Sequence, residues 1–243
     1  MKKSILIFTA FFFLLMGAQA DSFDSANEAY ATGKYADAVH DLEDLAARKE
    51  YSAPLFYNLA NAYFRMGRTG EAVLNYERAL WLNPGDPDAK ANLRFVRKTA
   101  GLFEPSREWW QIAPGWMSLD AWSWTACISW FLLATALILR WWNRSAQWSA
   151  ALKPVIAALV VLLAISLASA IIRAPDARQA IVLASETPLR VAPLEKSAST
   201  AALRAGDVVR IGSRRGEFLY VETEDGKAGW TLTGAEVAPV VHD

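Results

Sequence analysis

Hydrophobic residues fall into four patterns along this chain. Near the N-terminus, Ile5 to Met16 form a short apolar run behind Lys2 and Lys3. Through 21–100, apolar positions recur at three- and four-residue spacing, as in Phe56, Leu59, Ala60 and Tyr63, which predicts amphipathic helices. The middle holds two continuous runs, AWSWTACISWFLLATALIL (121–139) and PVIAALVVLLAISLASAII (154–172), each without a charge from end to end. The last part, 180–241, alternates apolar and polar residues in stretches separated by Gly206-Asp207, Gly212-Ser213, Gly216 and Asp225-Gly226. That pattern predicts about five short strands, with a hairpin turn at Asp225-Gly226.

As a helix, each central run is about 28 Å long, close to the hydrocarbon thickness of a bilayer. Neither shows the polar stripe of a buried core helix. They predict transmembrane helices at 121–140 and 154–173. The connecting loop, 141–153, contains Arg144 and Lys153, with Arg140 at its border, and no acid. Short loops rich in Lys and Arg stay in the cytoplasm, so both flanks are expected outside. The N-terminal run leads to the same side. Its positive start, short apolar core and Ala18-Gln19-Ala20 read as a signal peptide over 1–20, cleaved between Ala20 and Asp21. The same residues would also serve as an uncleaved anchor. The expected location is a bacterial inner membrane, crossed twice, with both soluble parts periplasmic.

Nine of the eleven tryptophans lie between Trp109 and Trp148, and all of these but Trp130, within the first run, lie near the ends of the two runs, as indole prefers the headgroup region. Residues 101–120 therefore read as an interfacial linker. No charged group lies inside either run, which favours anchoring over a pore. Ser166, Ala168 and Ala170 are small enough for close helix contact.

Within 21–100 the pattern repeats. Gly33 recurs at Gly67, Ala26 at Ala60 and Ala38 at Ala72, and Leu42 is answered by Tyr76, all at one constant spacing. A fixed period of about 34 residues means stacked structural repeats. The second copy is sharp: Phe56-x-x-Leu59-Ala60-x-x-Tyr63, then Ala72-x-x-x-Tyr76, Ala79 and Pro84. Ala60 and Ala72 let two helices approach, Gly67 supplies a positive-φ turn, and Pro84 ends the second helix. The first copy keeps Ala26, Gly33, Tyr35 and Ala38 but has Ser22 and Ser25 at large apolar positions. Asp86 is a predicted N-cap, with Pro87 opening a capping helix over 87–99. That helix is basic (Lys90, Arg94, Arg97, Lys98), whereas the first repeat carries Asp37, Asp41, Glu43 and Asp44.

These residues resemble the tetratricopeptide repeat, with Ala60 where Gly is commonest. The resemblance implies a peptide-binding concave face built by the first helix of each pair, where Asn27, Asn58, Asn61 and Arg65 would point. Asn58, Asn61 and Arg65 are spaced three and four apart and share a face. Asparagine offers donors and acceptors to an extended backbone, and equally to a neighbouring helix. Repeats that grip a C-terminal carboxylate use asparagines resembling Asn27 and Asn58 together with a lysine. Phe23 stands at that lysine's place, so this specificity is not expected.

The alternating segment, 174–243, resembles a bacterial SH3 domain. Leu189-Arg190-Val191 is similar to its first-strand motif, Leu203-x-x-Gly206-x-x-Val209 to its "L-x-x-G-x-x-V" step, and Gly226-Lys227-x-Gly229-Trp230 to its closing strand. Phe218 stands where Trp is frequent. The resemblance implies a small all-β barrel, with Trp230 more a core residue than a ligand contact. The expected fold class is thus a multidomain membrane protein: an all-α tetratricopeptide repeat solenoid, a two-helix transmembrane hairpin and an all-β SH3-like barrel.

Charge and chemistry narrow the function. The chain has 25 basic and 25 acidic residues, so no net basic excess argues for nucleic acid. Its single cysteine, Cys127, rules out an internal disulfide. His40 and His242 are far apart, and no metal-ligand spacing, phosphate loop or nucleophile motif is present. No catalytic, cofactor or metal site is expected. The order of segments is similar to that of the BatE family, the repeat proteins of bacterial aerotolerance (Bat) operons. That resemblance implies a non-enzymatic membrane scaffold working with the von Willebrand factor A proteins BatA and BatB, with BatD, and with a MoxR-type AAA+ ATPase. The alternative is a peptidoglycan-binding receptor whose barrel holds the wall and whose repeats recruit wall enzymes.

Overall fold

The computed structural model describes residues 23–102, 113–142, 146–174 and 178–241, apart from Glu224 and Ala235. The expected signal peptide with its Ala20–Asp21 junction and most of the linker before the first span lie outside the described residues. Contacts divide the chain into two compact units. One draws on Met1–Leu82, Asp86–Pro105 and Gln179–Asp243, the other on Asn83–Gly85 and Ser106–Arg178.

The first unit begins with five helices: α1 (23–31), α2 (Tyr35–Ala47), α3 (Ala53–Arg65), α4 (Thr69–Leu82) and α5 (Pro87–Thr99). Their ends follow local chemistry. The Ser52 hydroxyl accepts the Leu55 N–H at 3.3 Å, and Pro54 fits the first turn of α3. Asp86 accepts the N–H groups of Asp88 and Ala89 at 3.0 Å, with Pro87 at the first helical position, as the sequence predicts. The glycine turn at Gly33 recurs at Gly67 and again at Gly101, each with φ between 63° and 80°. Leu42, Leu55, Phe56, Leu59 and Tyr63 are nearly fully buried between α2, α3 and α4.

The same unit ends in a seven-stranded sheet: β1 (Gln179–Val182), β2 (Thr187–Arg190), β3 (Ser199–Leu203), β4 (Val208–Arg215), β5 (Phe218–Thr223), β6 (Ala228–Leu232) and β7 (Val237–Pro239). Its order is β3-β2-β6-β5-β4-β1-β7, with every neighbouring pair antiparallel. There are more strands than the alternation predicts, because β1, β2 and β7 are only three or four residues long. The predicted Asp225-Gly226 turn joins β5 to β6, with Gly226 at φ 81°. Leu189, Leu203, Val209 and Val221 form the sheet's own core with Ala180, Val182, Leu219 and Val237. The closed barrel expected from the motifs is not formed: β3 and β7 are the two edges and do not pair with each other.

The sequence does not tell whether the repeats and the sheet touch. They do. Ile181 and Val240 share a buried cluster with Val73, Leu74, Leu93 and Val96 of α4 and α5. β1 is consequently buried on both faces, Ala180 and Val182 toward the sheet core and Ile181 toward the helices.

The second unit contains a 3-10 turn (Ala113–Trp116) and two long helices, α6 (Leu119–Trp142) and α7 (Ala146–Arg173). Both are long and apolar enough to cross a membrane. Arg173, at the end of α7, donates to the Met117 carbonyl just before α6, so the two helices run antiparallel. Trp122, Ala126, Ser129, Leu133 and Ala136 form the buried seam of α6, alternating four and three residues apart as in a coiled coil. On α7 the buried small residues are Ser166 and Ser169. Ala168, predicted in that contact, is exposed, because the seam advances by three and four residues rather than two. The predicted loop 141–153 is mostly helical. α7 starts at Ala146 and carries Pro154 inside it instead of starting there. The preceding residues include Ala, Gln and Leu, good helix formers that carry the helix ahead of the proline. Hydroxyls in the helices bond internally: Thr125 to the Ala121 carbonyl at 2.7 Å and Ser166 to that of Leu162 at 2.8 Å.

Candidate peptide-binding surface

The first helices of the pairs, α1, α3 and α5, lie side by side and are tied by asparagines. Asn58 Nδ2 donates to Asn27 Oδ1 at 2.8 Å. The bond recurs one repeat later, where Asn92 Nδ2 donates to Asn61 Oδ1 at 3.2 Å. Asn92 stands one period after Asn58, as Asn61 does after Asn27. Asn92 Nδ2 also donates to the Tyr57 hydroxyl at 3.1 Å, and Asn61 Oδ1 also accepts the buried Tyr76 hydroxyl.

The structure therefore brings Asn27, Asn58 and Asn61 together, and much of their capacity joins helix to helix. Asn61 Oδ1 and Asn92 Nδ2 are fully used. By their inventory of donors and acceptors, the Asn27 and Asn61 amino groups and the Asn58 and Asn92 carbonyl oxygens have no further bond among the described residues. Donors and acceptors thus alternate from α1 to α5.

Arg65 stands beside this row, exposed, with its guanidinium 5.8 Å over the Tyr35 ring. A hydrogen bond with Tyr30, followed by the field of Tyr35, raises its pKa. It is a fixed positive charge next to two tyrosines. Phe64 meets Phe95 edge-to-face at 5.8 Å, and Phe95 remains 59% exposed. An open phenyl ring beside free amide groups suits an extended polypeptide with an apolar side chain.

Sequence reasoning misses Asn92, Tyr57 and Phe95. The repeat spacing of Asn58 and Asn92 is readable in the sequence, but a capping role for residues 87–99 does not call attention to it. Beneath the surface, burial raises the Tyr76 and Tyr63 hydroxyls, and Tyr63 donates to Glu43 of α2. Both phenols stay neutral and act as donors.

On the sheet, Trp230 is mostly buried, with Tyr220 edge-to-face at 5.4 Å and the Arg215 guanidinium at 5.6 Å. Arg190 makes a bidentate pair with Glu236, both contacts at 2.9 Å. Glu236 also accepts the Thr231 hydroxyl at 2.7 Å and the Leu232 N–H at 2.8 Å. Burial pushes this carboxyl up, but Arg190, the Leu232 N–H and the Thr231 hydroxyl together hold it below its ordinary value. Among the described residues, no three His, Cys, Asp or Glu side chains are placed to hold a metal ion.

No curated protein matches the chain. Residues 53–86, which comprise α3, α4 and the turn that follows, match the family model of the Tetratricopeptide repeat.

Proposed function

We propose that this protein is a non-enzymatic membrane scaffold whose tetratricopeptide face binds an extended segment of a partner protein. The observation that carries the reading is the α1–α3–α5 face, with alternating free amide groups, the exposed Phe95 ring and the Arg65 charge. A tetratricopeptide repeat suggests protein partners. An alternating set of donors and acceptors fits a peptide backbone, and Arg65 favours a segment with an acidic group nearby.

The bilayer reading rests on α6 and α7. Ile128, Phe131, Ile138, Val161 and Ile171 are all more than half exposed, and an uncovered apolar surface of this extent suits lipid. The contact of α4 with β1 adds a topological argument. Segments that touch lie on one side of a membrane, so the chain between them crosses an even number of times. The basic residues Arg140, Arg144 and Lys153 at the connecting end then favour the cytoplasm for that end, with the repeats and sheet in the periplasm. The order of segments supports a place beside BatA, BatB, BatD and a MoxR-type ATPase. The motifs around Leu189, Gly206 and Trp230 support an SH3-like relationship for the sheet.

The test is a mild-detergent capture of the full-length protein after crosslinking in cells, compared with an Arg65→Glu, Phe95→Ala variant. Recovery of von Willebrand factor A proteins that is lost in the variant supports the scaffold. Recovery of wall fragments or wall enzymes, indifferent to the variant, would replace it with the receptor reading.

A further inference from the structure

We propose that the β-sheet is the cap that closes the open end of the repeat array, and that residues 103–178 are an insertion into this one capped domain. Stacked repeats leave their last face uncovered, and something must bury it. The array ends at α5, which is the first helix of a third repeat. Its buried positions Ala89, Leu93, Val96 and Arg97 stand one full period after Leu55, Leu59, Ala62 and Tyr63, four of the six buried positions of α3. The Glu43–Tyr63 hydrogen bond returns one period on as the Glu77–Arg97 ion pair at 2.5 Å. Gly101 repeats the turn of Gly33 and Gly67. The periodicity breaks at two positions: Phe56 and Ala60, buried in α3, return in α5 as the exposed Lys90 and Arg94.

The remaining apolar face is covered by the sheet. Val73, Leu93 and Val96 share their cluster with Ile181 and Val240, and Leu102 packs against it. The fit is close on both sides. A Cβ on Gly70 of α4 would stand 2.6 Å from the Leu183 carbonyl oxygen, a backbone atom. A Cβ on Gly206, between β3 and β4, would stand 2.5 Å from Leu102 Cδ1. Two arginines bridge the seam to backbone oxygens at 3.1 Å: Arg78 to Pro239 and Arg204 to Gly101. A loosely tethered second module would not require Gly70, whereas Gly206 is also called for by its own φ of 93°.

The chain leaves this domain at Leu102 and returns at Gln179. Leu102 and Ile181 belong to the same cluster, so both ends of the insertion are pinned at one place. The sheet also supports α5, which contributes Asn92 and Phe95 to the candidate peptide surface. That last consequence rests on the binding reading; the cap does not.

Amide hydrogen exchange on the full-length protein in lipid nanodiscs tests the cap. Ile181 lies outside the sheet's own core, so Ile181→Asp addresses the seam. The expected result is exchange about tenfold or more faster in α4 and α5. Gly70→Leu, made from the helical side, is expected to accelerate β1 and β7 by a similar factor. Acceleration confined to the mutated partner in both variants, or absent from both, overturns the proposal, because independent modules would not report each other's damage. The readout involves no ligand. Partner capture that persists in the Arg65→Glu, Phe95→Ala variant would sink the binding reading alone.

Discussion

Glu236 shows how one side chain can join three parts of the sheet region. It meets Arg190 of β2, Thr231 and Leu232 of β6, and stands just before β7. Glu236→Gln leaves the largely buried Arg190 without its anion and is expected to cost about 2–3 kcal/mol in thermal or denaturant unfolding. The pH dependence has a definite sign. A carboxyl whose folded pKa is depressed contributes its full stability above the unfolded value, about 4.3, and loses it as pH falls through the lower folded value. The wild-type melting temperature should therefore drop more steeply than the variant's in that acid window, with the gap widest at neutral pH. Gly70 offers a second test. Gly→Ala inside an exposed helix gains up to about 1 kcal/mol. Here the new methyl meets the Leu183 backbone, so Gly70→Ala should destabilise, by about 1–3 kcal/mol.

At the scale of elements, the asparagines divide into two kinds. Asn61 accepts the buried Tyr76 hydroxyl as well as Asn92, whereas Asn58 makes an exposed bond to Asn27. Asn61→Ala should cost about 1–3 kcal/mol, since it strands a buried donor, and Asn58→Ala less than about 1 kcal/mol, both read from urea unfolding. Asn58 and Arg65 are accordingly the cleaner probes of binding. Elements set by neighbouring residues are legible in the sequence: Asp86-Pro87 at the start of α5, Gly67 after α3, Asp225-Gly226 between β5 and β6. The start of α7 is not, because Pro154 is a strong local stop signal that helix formers ahead of it override. The asparagine row is half legible: Asn27, Asn58 and Asn61 stand out, but the bond from Asn92 to Asn61 depends on α5 being a repeat helix. The closed barrel is expected from spaced motifs alone, and motif spacing does not determine whether the two edge strands, here β3 and β7, meet.

For the whole molecule, Ile181 and Val73 are the instructive pair. Nothing in either residue's neighbourhood announces the other, and two apolar runs stand between them in the sequence. Long-range burial of this kind emerges only when the chain is folded. It bears on topology too. In a Cys127→Ser background, Ser145→Cys should react with a membrane-impermeant maleimide only after the membrane is opened, and Ser199→Cys without opening. Labelling of both without opening would count against two crossings with a cytoplasmic basic loop, and the reverse order would mean an inverted protein.

The pinned ends at Leu102 and Ile181 have a consequence during synthesis. The five helices are made first, but the residues that cover Val73, Leu93 and Val96 emerge only after the long intervening segment. At about 5–20 residues per second, the roughly 140 residues from Leu102 to Val240 take about 7–28 s. For that time the newborn array carries an uncovered oily face, and the cell must shield it until the last strands arrive.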